Sequence, residues 1–321
     1  MALSIAPAAA GLVGLLTSLA VTFCVSVWLS SGLSAAPLNL PSVWSSKSRA
    51  WITYEDLVSD LRHADLVFLG ELHDNPHHHK YRARLLGDLH RTNLHVVFEQ
   101  LPSQSPFLIP GEGVSLLEVL KLKGFNGEAW QWPLHEPLFL AVQRYGLAVT
   151  GGNLIPGQGR RFFSDGLNAV PGEIKAILEK TPLPATALAE LDAALIEGHC
   201  GHLPKGLLPA MRLVQQSTDI SMALSAVASL PAIVIAGNGH VQKNFGMPHY
   251  AGYLRPTSKV VSVGFLESSV LDARNTSVRA AIPIALEPPA LRDQQLFDFI
   301  WFTALIDRED PCKAIINFNR R

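Results

Sequence analysis

Val67-Phe-Leu-Gly-Glu-Leu-His-Asp-Asn-Pro-His-His-His79 decides how this chain folds. Leu66 to Leu69 is a short apolar run that stops at Gly70, and Glu71, His73, Asp74, His77, His78 and His79 follow at once. A run of this length bounded by glycine reads as a buried strand. Pro76 suits a first helical turn, and Tyr81, Leu85, Leu86 and Leu89 recur at helical spacing, so residues 76–91 read as a helix. The polar cluster then lies at the carboxyl end of a strand, where open α/β sheets place their ligands.

The same unit recurs on either side. Thr53 caps a helix over residues 53–63. Residues 95–98 form a second strand that ends in Glu99, helices follow at 116–123 and 136–145, and a third strand at 147–150 ends in Gly-Gly-Asn153. This alternation predicts a parallel sheet with right-handed crossovers. From residue 162 to 230 the pattern is helical only, with helices at 173–180, 185–197 and 207–230. The sheet resumes at 232–236, which ends in Gly237-Asn-Gly-His240, and continues at 259–265, with edge strands expected at 278–284 and 297–303. The expected fold is α/β: a parallel-sheet core flanked by helices, with an inserted small helical subdomain. Residues 51–159 and 231–314 make the core, 160–230 the helical subdomain, read as a lid, and 37–50 a linker.

Composition limits the function classes. At 48% hydrophobic and 17% charged residues the chain can bury a sizeable core. Lys and Arg total 26 against 27 Asp and Glu, a net charge of −1 that leaves no electrostatic footprint for nucleic acid. No Asp, Glu, Lys or Arg occurs before Lys47, and Gly11 to Leu29 is an uncharged, mostly apolar run. Residues 1–36 read as a signal peptide or membrane anchor, which predicts an exported protein, periplasmic or membrane-anchored, in a bacterial envelope. Cys24 lies inside that segment. Cys200 and Cys312 remain as an even pair, readable as a disulfide in an oxidising compartment or as two buried thiols.

The strand ends carry the chemistry. Glu71 and His73, then Glu99, Asn153 and His240, all fall at carboxyl ends of expected parallel strands and should meet on one rim. Gly70 to His73 and Gly237 to His240 are two alike Gly-x-x-His turns, in which glycine is expected to allow the tight exit from the strand. Glu99 follows Val-Val-Phe, and a carboxylate there is costly to bury without a partner. His73, Glu99 and His240 are metal-ligand types for a divalent transition metal. Glu71 or Glu99 could activate water as a base, with His73 and His240 assisting as in a hydrolase. The same groups could hold the propionates and iron of a haem. Consecutive residues on a helix point in different directions, so among His77, His78 and His79 one pocket contact is expected and the rest are read as solvated.

Several further motifs carry a family resemblance. Gly-Glu-Leu-His-Asp-Asn-Pro-His-His over residues 70–78 resembles the signature of the ChaN-like haem-binding family, within the group that includes the erythromycin esterases and Tiki proteases. Trp132-Pro-Leu-His-Glu-Pro137, Gly152-Asn-Leu154, His199-Cys-Gly-His-Leu-Pro204 with Gln215 and Asp219, Gly237-Asn-Gly-His240 and Asp310-Pro-Cys312 are similar to that family's later motifs, in the same order. The resemblance implies a pocket between sheet and helical domain, export, and a role in haem or iron acquisition. It also implies a homodimer and a tyrosine as iron ligand. The expected haem contacts are His73, His77, Asn153 and His240, with Tyr81 or Tyr250 as candidates for the iron. The wider group keeps a metal-dependent hydrolase open as the alternative.

Overall fold

The computed structural model describes residues 43–111, 113–267, 296–310 and 312–313. The apolar runs of the sequence form the middle of an eight-stranded sheet. In chain order the strands are β1 (Val43–Ser45), β2 (Ala50–Ile52), β3 (Leu66–Leu69), β4 (His95–Pro102), β5 (Ala148–Asn153), β6 (Ala232–Ile235), β7 (Val260–Glu267) and β8 (Phe299–Thr303). They lie in the order β2-β1-β8-β7-β3-β6-β4-β5. Neighbours from β8 through β5 are parallel, while β1 is antiparallel to both β8 and β2. β3 sits near the centre, with Leu66 opposite Val260 on one side and Ala232 on the other.

Helices cover both faces because side chains alternate along each strand. Val67, Leu69, Val96, Phe98, Ile233 and Ile235 share one core with α1 (Tyr54–Arg62), α2 (Pro76–Leu89), α3 (Leu116–Leu122) and α4 (Glu136–Arg144). Thr53 caps α1 in a reciprocal capping box with Asp56, and Asn75 caps α2 by accepting from His77 N at 2.8 Å. The helical stretch after β5 comprises α5 (Gln158–Asp165), α6 (Gly172–Lys180), α7 (Ala185–Gly198) and α8 (Leu208–Val227). Leu66, Phe68, Val97, Val234 and Ala236 pack with α8, α9 (Asn238–Val241) and α10 (Met247–Leu254) on the opposite face.

Four expectations change. Phe299–Thr303 is an inner strand, not an edge. It is covered by Val43–Ser45, which lies in the segment read as a linker; three residues are too few for a periodic signal, but Trp44 packs edge-on to Trp51 at 5.6 Å and Trp51 lies 5.6 Å from Phe302. The last helix of the insertion, α8, lies directly on the sheet, with Met222 in the same core as Val97, so it belongs to the sheet's cover rather than to a detached cap. Neither Gly70 nor Gly237 has a positive φ. Their glycines answer to close approach: a Cβ on Gly70 would come 2.1 Å from Asn238 Oδ1, and one on Gly237 would come 2.9 Å from His73 Nε2. Each Gly-x-x-His turn therefore presses against a residue of the other. The strand expected at 278–284 and the segment 1–36 lie outside the described residues.

Cys200 and Cys312 form a disulfide, with Cα atoms 5.6 Å apart. It ties the turn after α7 to the chain beyond β8. On the way there Arg308 pairs through Nε with Asp74 Oδ2 at 2.7 Å and through Nη1 with Glu267 Oε2 at 2.8 Å. Among the described residues no helix is long and apolar enough to cross a membrane.

Candidate functional site

Glu71 and His73 follow β3, His240 follows β6, and Glu99 lies within β4, which runs on past it to Pro102; they come together with Asn153 at the end of β5. Two linked clusters result, one around Glu71 and one around His240.

Glu71 is buried immediately after β3. Its Oε1 lies 2.7 Å from His73 Nδ1, 3.1 Å from Gln100 Nε2 and 3.4 Å from His135 Nε2. Its Oε2 meets Arg82 Nη2, and His79 Nδ1 lies 3.1 Å away. The ring protons follow from the partners. His79 Nε2 donates to the His73 carbonyl at 2.8 Å, so Nδ1 is left to accept from Arg82 Nη2 at 2.9 Å. His135 Nδ1 donates to the Trp130 carbonyl at 3.1 Å, which leaves Nε2 to accept from Gln100 Nε2 at 3.3 Å. Burial lowers His79 to about 4 and His135 to about 2, with nearby positive charge adding to the effect on His135, so both rings are neutral. Burial brings Arg82 down to about 9 against the opposing pull of Glu99, and it remains a cation at neutral pH.

The second cluster is centred on His240. Its Nδ1 lies 2.6 Å from Asp219 Oδ1 and 2.8 Å from Gln215 Nε2, both on α8, and its Nε2 lies 3.3 Å from Glu99 Oε1. Glu99 Oε2 accepts from Gly237 N at 2.7 Å. Burial works against a charged His240, but Glu99 and Asp219 raise it well above its ordinary value. Burial likewise pushes Glu99 up, yet His240, His73 and the Gly237 amide bring it to about 2. Asp219 is pushed up to about 6 by burial, which outweighs His240. Glu99 thus has the partner that its burial demanded. Asn153 holds this arrangement from behind, donating from Nδ2 to the Glu99 carbonyl at 2.9 Å.

Other expected residues fall elsewhere. Tyr250 is fully buried among Phe162, Ile174 and Ile220, accepting from Gln216 Nε2 at 3.3 Å, and burial raises its phenol. Tyr81 is partly buried and stacks on Trp301 at 4.9 Å, against the sheet's core. Neither tyrosine is brought to the rim. The histidine run is inverted relative to expectation: His77 is exposed while His78 and His79 are fully buried. His78 accepts at Nδ1 from Leu72 N at 2.9 Å and donates from Nε2 to Thr303 Oγ1 at 2.8 Å, and burial lowers it to about 3. It clamps the site's turn to β8. The helix starts by turning its third and fourth residues inward, which a triplet of identical residues cannot reveal.

Arg82, His135, Gln100, Asp219 and Gln215 complete the site but were not among the expected site residues. His135, Gln215 and Asp219 sit in the quoted motifs, which was their signal. Arg82 follows His78 and His79 by four and three residues and shares the inward face of α2 with Leu85, Leu86 and Leu89, a placement that marks it as buried.

Donor atoms of Glu71, His73 and His135 lie within 4.8 Å of one another. That set suits a metal poorly, because Arg82 already occupies the Glu71 carboxylate with positive charge. The expected set of His73, Glu99 and His240 does not bring its ligand atoms as close together. Both histidines have Nδ1 on a buried carboxylate, the arrangement that orients imidazoles toward a metal. A Cβ on Gly237 would lie 2.9 Å from His73 Nε2 and 3.7 Å from Glu99 Oε2, so these atoms face the same point. The side chain of His73 is 45% exposed, and its ring meets Trp130 edge-on at 5.1 Å.

A parallel α/β sheet with two carboxylate-backed histidines on its carboxyl rim is the class this geometry defines. The model of the haem-binding uptake, Tiki superfamily, ChaN family matches residues 57–251, more than half of the chain, and the chain belongs to this family. No curated protein sequence matches it. Its fold is similar to that of ChaN of Campylobacter jejuni, solved with cofacially bound haem: the TM-score is 0.61 at 18% identity, covering 80% of this chain and 94% of that one. A Bacillus cereus protein aligns with a TM-score of 0.33 at 16% identity over 68% of this chain and 70% of its own, a likeness that bears no argument here.

Proposed function

We propose that this chain binds haem in the cleft above the strand ends, with His73 Nε2 as the nitrogen offered to the iron, and that it serves haem or iron acquisition. One observation carries the reading. His73 is half-exposed, its Nδ1 is engaged by the buried Glu71 carboxylate, and its Nε2 is therefore the free donor. With Tyr81 and Tyr250 packed in cores, an imidazole takes the place of the expected tyrosine. When bound, haem would supply an iron centre; the chain supplies the nitrogen, the edge of Trp130 beside it, and exposed His77 on the first turn of α2 for a propionate. Helices α5 to α7 would cover the cleft. Family membership supports the ligand. The Cys200–Cys312 disulfide and the uncharged N-terminal run support export to an oxidising compartment, periplasmic or anchored at the membrane. A homodimer around the ligand belongs to the same proposal. Titration of the purified protein with haemin should give a saturable, shifted Soret band that is lost in His73→Ala. A band that never saturates, or one unchanged in that variant, refutes the assignment.

A second reading rests on the paired Nδ1–carboxylate contacts of His73 and His240. They fit a divalent transition metal held by His73 and His240, in a hydrolase where Glu71 or Glu99 would serve as base for water. The metal would supply Lewis acidity. Metal analysis of the purified protein, together with a hydrolysis assay of Glu99→Gln, separates this reading from the first.

A further inference from the structure

Arg82 and Glu71 are both buried, and nothing that enters the cleft need touch Arg82. Burying opposite charges costs several kcal/mol in desolvation, and apolar side chains of similar volume often serve stability as well. Stability alone therefore gives little reason for the pair. Its geometry gives one. Glu71 Oε1 is crowded by His73, Gln100 and His135, whereas Oε2 meets only Arg82 and His79. His79 spends its ring proton on the His73 carbonyl, so its Nδ1 has none to give to Oε2. Arg82 is thus the one cation paired with Oε2 among the described residues. The same Nη2 also donates to His79 Nδ1 at 2.9 Å, which fixes the tautomer whose Nε2 holds the His73 main chain. One guanidinium grips His73 by two routes: the side chain through Glu71, and the backbone through His79.

We propose that Arg82 is a positioning residue that locks Glu71 Oε1 onto His73 Nδ1, so that His73 presents an unprotonated, electron-rich Nε2 to the cleft. This deepens the haem reading and rests on it. A carboxylate held against Nδ1–H makes an imidazole a stronger donor and favours ferric over ferrous iron. If Arg82 is replaced, the carboxylate loses its anchor at Oε2 and turns away from His73.

The test compares wild type, Arg82→Gln, Arg82→Lys, Glu71→Gln and the Arg82→Gln/Glu71→Gln double variant. Each is loaded with haemin, and the ferric–ferrous midpoint is measured. Nitrogen-15 NMR of the haem-free proteins reads the His73 tautomer. Arg82→Gln should bind haem with about a tenfold smaller preference for ferric iron, a midpoint about 59 mV higher. Glu71→Gln should give the same shift and the double variant no more, because both act through one contact. Arg82→Lys, which keeps a donor for Oε2, should recover most of the wild-type midpoint. In the haem-free protein, His73 should carry its proton on Nδ1 in wild type and lose that preference in Arg82→Gln. Wild-type midpoint and tautomer in Arg82→Gln overturn the proposal even if that variant is less stable. Should Arg82→Gln not fold, a wild-type midpoint in Glu71→Gln overturns it equally. Failure of wild type to bind haemin refutes the haem reading instead, and the NMR comparison still decides whether Arg82 positions His73.

Discussion

Acidification from pH 6 to pH 5 should remove roughly 3 kcal/mol of folding stability, working from two protons at about 1.4 kcal/mol per pH unit each. The count comes from buried groups. His78, His79 and His135 are lowered by burial from 6.5 to about 3, about 4 and about 2. Below pH 6.5 the unfolded chain takes up protons on all three that the folded chain refuses, so their contribution is present above 6.5 and is lost as pH falls. Asp219 acts in the opposite sense: raised by burial from 3.8 to about 6, it takes a proton in the folded state that the unfolded chain does not yet bind. Three protons favouring the unfolded chain less one favouring the folded chain leaves two. His240 is raised, so its contribution is complete below 6.5 and fades only as pH climbs toward its folded value; it does not alter the slope between 6 and 5. Urea unfolding at pH 7, 6, 5.5 and 5, extrapolated linearly to zero denaturant, measures the slope. Stability that stays level between pH 6 and 5 would refute the assignment of three neutral, proton-free buried imidazoles.

Replacing both Cys200 and Cys312 by Ser opens a loop spanning 112 residues, which chain entropy values at about 5 kcal/mol; Tm should fall by roughly 10 °C or more, and an unchanged Tm would show that the covalent tie adds nothing. Gly237→Ala puts a Cβ 2.9 Å from His73 Nε2, so it should cost about 1–3 kcal/mol and weaken haemin binding, whereas wild-type haemin affinity would mean that His73 is not the contact. Glu99 is lowered from 4.5 to about 2, so it stabilises the fold above 4.5 and that contribution is lost as pH falls through its folded value. Glu99→Gln should accordingly flatten the loss of stability below pH 4.5, as followed by circular dichroism.

The rim was readable in the sequence because strand ends are marked by breaks: Gly70, Gly-Gly before Asn153 and Gly237 each stop an apolar run, and the polar residue beyond the break is the one the site uses. Glu99 was readable for a different reason, since a carboxylate directly after Val-Val-Phe requires a partner. What stands behind the rim was not readable from pattern. Arg82 has a charged neighbour two residues on at Arg84, and only the rotation of α2 separates the buried guanidinium from the exposed one. Asp219 lies in an unbroken helix between polar and apolar neighbours, where the family motif marked it but no local pattern did. The sequence left the tyrosines open because an aromatic at helical spacing serves a core as readily as a ligand. β1 was missed because its three residues pair through the main chain, which no side-chain period records.

That short strand has a consequence for how the protein behaves in a crowd. β8 owes its inner position to Val43 and Ser45, which sit opposite Trp301 and Phe299. Were those residues pulled away, β8 would offer unsatisfied amides and carbonyls beside Trp301 and Phe302, the surface to which a stray strand from another molecule adds. With β1 and β2 in place, the outermost strand on that side among the described residues is three residues long, too short a template for such recruitment. These few residues thus keep individual molecules from zipping together through their sheets.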